Sequence, residues 1–432
     1  MATLSVALAL VNENLQQLLP RQAIVAAAKR VGHRWRRRKL GPAQSIVLLV
    51  LQLLHGNASL AEARALAGNA VSVAALAKAR QRLPVELLQQ VCAWVIEQFI
   101  CTVVANDISP SPRVLLVDAA NYYTPDTPAL RRKYRRPQQK QRRGDYPQLR
   151  TLCVFDLHSG LILAQHDFPS DRSESPQLRR VLERLGLRKG DVIIFDRGFV
   201  SYSNLALLIE RGVEVVARLA KNLHARRGSR RIRTARLGQG DALVRWHKPT
   251  RGRGTHAATP RALWRRLPEQ LNLRQITIAA SAARGSRCRR ITLITTLRDA
   301  ATQPASKLAA WYRRRWEIET DLRHLKATLK LEFLRTRSVS NVRRELLLRM
   351  IAYNLVRVVM LKAAGTRKID VQRISFADAR RWLLLSQLAG VSLLTLLINP
   401  ARRRRQRPRR LKYRGKNYRL LTTRPTPQRK AA

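Results

Sequence analysis

The spacing of apolar positions changes twice along the chain. Up to about residue 105 it is helical. Ile24 to Val31 stops at Gly32, Ala43 to Leu54 follows Pro42, and Ser59 stands ready to cap Leu60 to Ala67. Ser72 to Pro84 makes a short amphipathic element carrying Lys78, Arg80 and Arg82, and Val85 to Val104 continues as a long apolar helix. Small helices with a basic edge suit a DNA-end-binding or partner-binding domain. They suit an ordinary helical cap with a solvated face equally well.

From Val114 the runs shorten. Val114 to Asp118 (VLLVD) and Asp191 to Asp196 (DVIIFD) predict buried strands that end in a carboxylate. Thr151 to Phe168 predicts a hairpin turning at His158-Ser159-Gly160, and Glu214 to Leu219 a further strand. Pro176 to Leu185 and Tyr202 to Glu210 are helical between them, so the region is α/β with a mixed sheet. Residues 220–305 change the texture again. Arg226–Arg236 predicts a basic loop, and Ala242–Trp246, Gln275–Ala280 and Arg290–Thr296 predict strands of a mostly β insertion. Helical periodicity returns at Trp311 to Phe333, Glu345 to Leu361 and Phe376 to Leu385, with Ser392 to Leu397 closing the fold. The expected organisation is an all-α segment at 1–105, an α/β domain at 106–219 and 306–399 interrupted by the insertion at 220–305, and a basic tail at 400–432.

Charge narrows the partner. The chain holds 84 Lys and Arg against 27 Asp and Glu, a formal charge of +57. A compact body so charged repels itself unless a polyanion lies along it, which makes nucleic acid the leading partner. No membrane association is expected, because the apolar run Ile46 to Leu54 is interrupted by Gln52 and is too short to span a bilayer. Met1 to Leu10 lacks a basic start, so no signal peptide is expected. Cys92, Cys101, Cys153 and Cys288 form no CxxC pair and read as buried thiols of a reducing cytosol.

The chemistry converges on the Trp311–Phe333 helix. At about 100° per residue, with Tyr312 as zero, Arg315 lies near 300°, Glu319 near 340° and Lys326 near 320°, one stripe roughly 60° wide. Taken alone, that stripe reads as a solvated edge with i,i+4 ion pairs rather than as a site. Two strand-end aspartates upstream, Asp118 and Asp196, change its meaning. Phosphodiester cleavage with two metals needs acidic side chains converging from separate rigid elements, with two hard cations about 3.5–4 Å apart. Asp126 and Asp156 compete for the first position but read as turn residues, and Glu174 reads as a supporting acid or a first-turn capping residue. Trp246 and Trp264 read as core, with base stacking as the alternative.

These segments resemble the bacterial insertion-sequence-four family of DDE transposases. LLVDAANYYTPDTP (115–128) is similar to the family's first-aspartate segment and GDVIIFDRGFVSY (190–202) to its second. Tyr312, Arg315, Glu319 and Lys326 fit its Tyr-Arg-Glu-Lys signature position for position, and RRRKLGPAQSIVLLVLQLL and SVAALAKARQRLP resemble its amino-terminal domain. The resemblance implies an RNase-H-like catalytic domain with Asp118, Asp196 and Glu319 as the metal-binding triad. It implies Tyr312, Arg315 and Lys326 as contacts to transposon-end DNA, and two Mg²⁺ ions per site, with Mn²⁺ able to substitute. It further implies nicking at the element's ends, attack of the freed 3′-hydroxyl on target DNA, a homodimer on DNA, and a cytoplasmic, nucleoid-associated protein. A metal-dependent nuclease or resolvase on the same fold, and a DNA-binding relative without catalysis, stand as alternatives.

Overall fold

Three apolar runs form the centre of a nine-stranded mixed sheet: Val114–Tyr123 (β1), Val192–Phe195 (β6) and Glu214–Arg218 (β7), lying parallel in the order β1-β6-β7. Parallel central strands are covered on both faces, which is why they read as unbroken apolar stretches. The computed structural model describes residues 13–36, 39–66, 71–105, 112–139, 142–143, 146–219, 231–251, 259–279, 290–323, 326, 328–330, 332–384 and 393–399. The expected basic tail, the first ten residues, Arg226 to Arg230, and the side chains of Cys101 and Cys288 lie outside these.

A short ribbon, Gln138–Gln139 (β2) with Arg142–Arg143 (β3), stands apart from the sheet. Beside β1, Gln148–Asp156 (β4) and Ile162–Pro169 (β5) add antiparallel strands. Beyond β7 the order continues β11-β10-β9-β8, from Arg290–Thr295 (β11), Gln270–Ala279 (β10), Asp241–His247 (β9) and Arg231–Gly238 (β8). The strands expected of a separate insertion thus extend the same sheet. Arg231 to Arg236, expected in a loop, is strand. It pairs with β9 at the outer edge of the sheet, where even Ile232 is 54% exposed, so no buried apolar alternation marks it in the sequence.

Strand alternation divides the core. Leu116, Ala120, Tyr122, Ile194 and Val216 face one layer, while Leu115, Val117, Ile193, Phe195 and Val215 face the other. The second layer holds Gln177–Leu182 (α8), Tyr202–Glu210 (α9) and Arg261–Arg266 (α10), with Trp246 and Trp264 buried against Tyr202 as core residues.

The first layer is built on the long helix Val339–Arg367 (α12) and on Ala305–Arg323 (α11). It is continuous with the helices that precede β1: Glu13–Leu18 (α1), Arg21–Arg30 (α2), Pro42–Leu54 (α3), Leu60–Leu66 (α4), Val73–Arg82 (α5) and Val85–Ala105 (α6). Pro128–Tyr134 (α7) follows β1, and Phe376–Leu384 (α13) packs on α12. No helix among the described residues is long and apolar enough to cross a membrane.

α12 begins earlier and ends later than its apolar pattern predicts: Ser338 caps its start by accepting from Asn341 N–H, and Lys368 closes it in the left-handed region, while buried arginines within it find partners. Arg357 donates from Nε and Nη2 to Ser159 O at 3.0 and 2.6 Å, and Tyr353 donates to Gly160 O at 3.0 Å. Asn354 both donates to and accepts from the backbone of Ile162, at 2.9 Å each way. These bonds clamp the β4–β5 hairpin onto the helix.

Candidate active site

Two of the sequence's expectations about local structure are corrected here. β1 does not end at Asp118 but runs to Tyr123, because β4 pairs with it along that whole length, Asp118 opposite Cys153. The helix expected to Phe333 stops at Arg323; Lys326 and Thr328 lie in a wider π-type turn, and Lys330 takes φ +51°. The chain then returns to the sheet, where Tyr123 N–H donates to Glu332 O at 3.1 Å and Leu334 N–H to Tyr123 O at 2.8 Å. Backbone pairing with the exposed end of β1 overrides helix propensity in that stretch.

The sheet brings Asp118 and Asp196 together. Val117 and Phe195 are register partners on neighbouring parallel strands, so the two aspartates occupy the next step of the same ladder. Strand neighbours lie about 4.8 Å apart and corresponding positions point to one face. That face is the one against which α11 packs.

From α11, the hydroxyl of Tyr312 donates to Asp196 Oδ1 at 3.2 Å, and Arg315 Nη1 lies 3.8 Å from Asp118 Oδ2. Both α11 residues are buried, Tyr312 to 1% and Arg315 to 7% exposure, so this part of the stripe is no solvated edge. Lys326, past the helix end, sits 5.8 Å from the centre of the Tyr122 ring, and Arg349 lies 5.6 Å from the same ring. Glu319 is within α11, but its side chain lies outside the described residues.

The electrostatics favour a cation. Burial pushes the Asp118 carboxyl up to about 6, and the negative charges of Glu174 and Asp196 push the same way. The Ala119 N–H and Arg315 oppose them. Burial raises the Tyr312 hydroxyl above its ordinary range, and Arg315 opposes the rise. Burial lowers the Lys326 ammonium, countered by Glu332 and Asp118. Cys153, a buried free thiol, is pushed up to about 12, by burial first and by Asp118 second. A half-buried carboxylate with Glu174 and Asp196 as well as Arg315 beside it is an environment a hard divalent cation can relieve. Among the described residues no three His, Cys, Asp or Glu side chains are grouped as a metal site, a set that leaves out the Glu319 carboxylate.

Arg150 carries no signal in the sequence, whereas Glu174 is a candidate supporting acid there. Arg150, opposite Asn121 in the β1–β4 ladder, donates to Asn121 Oδ1 at 2.8 Å and to Glu174 Oε1 at 2.7 Å. Glu174 therefore belongs to the surroundings of Asp118, and a side chain at Gly198 would come within 3.6 Å of it. For Arg150 only the three-residue step from Asp118 to its ladder partner Asn121 could have hinted at this. The competitors are occupied elsewhere. Asp156 accepts from Ser159 N–H and Oγ in the hairpin turn, and Asp126 pairs with Arg131 and Arg136.

The family model for the transposase DDE domain matches residues 109–355. The transposase InsG for insertion sequence element IS4, from Escherichia coli strain K12, is 27% identical over 375 residues, covering 81% of this chain and 78% of that protein. Among solved structures, the cryo-EM structure of the piggyBac transposase synaptic complex with hairpin DNA aligns over 89% of this chain and 80% of its own. The identity there is 11% and the TM-score 0.37.

Proposed function

The chain belongs to the DDE transposases of the IS4 family, and from that premise we propose that it cleaves the ends of an insertion sequence and joins the freed 3′-hydroxyl to target DNA. The observation that carries this reading is the meeting of Asp118 and Asp196 on adjacent parallel strands beneath Tyr312 and Arg315 of α11. Residues nearly 200 positions apart converge on one half-buried point with two carboxylates, as the chemistry of phosphate cleavage requires.

In this reading the sheet of β1, β4, β5, β6 and β7 is an RNase-H-like catalytic core, the strands beyond β7 are its insertion, and the helices before β1 bind the element's end. Asp118, Asp196 and Glu319 would hold two Mg²⁺ ions, with Mn²⁺ as a substitute. Bound there, such ions activate the attacking hydroxyl and stabilise the leaving oxygen.

The protein's own groups do the rest. Arg315 and Lys326 neutralise the phosphate and fix its approach, the first through a planar fork and the second as a point charge. Tyr312 orients Asp196 through its hydroxyl and stands within reach of the same phosphate. Burial of these groups strengthens each contact by excluding water. Cleavage breaks the O3′–P bond at the element's end as water attacks. Joining then forms a new O3′–P bond to the target and releases a target 3′-hydroxyl. Neither step needs a covalent enzyme intermediate, and two ends held by two copies of the chain would complete the assembly.

The test is a strand-transfer assay with a labelled donor end. Asp118→Asn, Asp196→Asn and Glu319→Gln should each bind end DNA and neither cut nor join it with Mg²⁺ or Mn²⁺. Full cleavage by one of them removes that residue from the triad. Cleavage by the wild type without any joined product would replace the transposase reading with a nuclease.

A further inference from the structure

The loop between α2 and α3 leaves a surface that the catalytic reading does not use. With the end of α5 it encloses a cleft of about 360 Å³, walled by Leu40, Pro42 and Leu83. That size lies at the small end of ligand pockets, roughly 300–1,000 Å³. Its aromatic element is Trp35, which stacks on His33 with ring centres 5.7 Å apart and planes 25° from parallel. The indole lies beside the start of α3, where a side-chain carbon at Gly41 would come 3.8 Å from Cδ1.

Trp35 stays 37% exposed, whereas Trp246 and Trp264 are 5% and 7% exposed in the core. Arg34, Arg36 and Arg82 also line the cleft, all three exposed, and among the described residues no carboxylate forms an ion pair with them. Burial and the neighbouring Arg82 hold His33 below the usual imidazole range, so it adds a neutral ring at pH 7.

We propose that this cleft takes one unpaired nucleotide of a DNA strand, its base against Trp35 and its phosphate among Arg34, Arg36 and Arg82. The inference rests on the reading of the chain as a DNA-end-processing enzyme and gives that reading a second point of contact. Cations alone would serve the backbone of an intact duplex. A partly exposed indole in a concave, apolar-walled cleft serves a different purpose, since it can meet a base only where the base is free of its stack. Aromatic stacking with surrounding cations is how single strands are held without sequence readout. The cleft would therefore favour an end with an overhang or a frayed terminal pair over a blunt one.

The experiment uses the full chain in EDTA, with fluorescence anisotropy of a labelled short oligodeoxythymidine and of a blunt duplex. Trp35→Ala should weaken oligonucleotide binding on the order of tenfold and leave duplex binding nearly unchanged. Trp35→Phe should retain most of the affinity, and Arg82→Gln should lower the salt slope by about one. Wild-type affinity in Trp35→Ala, or an equal loss for both DNAs, would overturn the proposal. So would a Trp35→Phe variant as weak as Trp35→Ala with an unchanged melting midpoint. No metal or cleavage enters this measurement, so its failure leaves the strand-transfer test standing, and the reverse holds too.

Discussion

Gly160→Ala should remove much of the protein's margin of stability, through a residue far from it in sequence. Gly160 turns the β4–β5 hairpin at φ +69°, and a β-carbon there would lie 2.1 Å from Arg357 Nη2, 2.5 Å from Cζ and 2.8 Å from Nε. The left-handed backbone costs an L-residue about 1–2 kcal/mol. The guanidinium must also move, although Arg357 is fully buried and holds Ser159 O from two nitrogens. Displacing the guanidinium from its two bonds to Ser159 O costs about 1–3 kcal/mol. Together these give about 2–5 kcal/mol, against a total stability of about 5–15 kcal/mol for an ordinary domain.

Urea denaturation followed by tryptophan fluorescence measures the difference. The decisive comparison is with Arg357→Leu as background, where only the backbone term should remain, about 1–2 kcal/mol. Equal losses in both backgrounds, or a Gly160→Ala midpoint at the wild-type value, would refute the clamp.

Other outcomes follow from the site and its support. Asp118 has a folded-state pKa raised from 3.8 to about 6, so ionising it destabilises the fold as pH climbs through that window. Asp118→Asn in EDTA should therefore melt higher than wild type at pH 8, by at most about 3 kcal/mol, and the gain should fade near pH 4; thermal melts at the two pH values check it. Lys326→Ala should weaken end-DNA binding and reduce the salt slope by about one in a binding titration, and an unchanged slope would remove it from the phosphate contacts. Glu345 accepts from Arg335 N–H and Thr336 N–H at 3.2 Å and from Arg349 at 2.6 Å, so Glu345→Ala removes a shared acceptor and breaks a buried ion pair. Its urea midpoint should drop by the equivalent of about 3–5 kcal/mol.

Much of the site could be read from local pattern because local pattern is what its parts obey. Asp118 and Asp196 follow apolar runs that must be buried strands, and Tyr312 and Arg315 lie one helical turn apart. Where the reading stopped short, the cause was a partner distant in sequence. The length of β1 depends on β4, and the end of α11 depends on the pairing of residues 332–334 with Tyr123. α12 runs past its apolar pattern at both ends, to the caps at Ser338 and Lys368.

The sequence by itself determined the central strands and their two faces, most of the long helices, and the family to which the chain belongs. It did so because periodicity and motif spacing are properties of neighbours along the chain. Only the tertiary structure decided that Glu174 lies near Asp118 and is held by Arg150, that the strands beyond β7 extend the same sheet, and that Trp35 stays at the surface while Trp246 and Trp264 are buried. Those outcomes depend on strand order and on which residues meet across the sheet. Burial, and the shift it imposes on Asp118, exists only once the layers have closed over it.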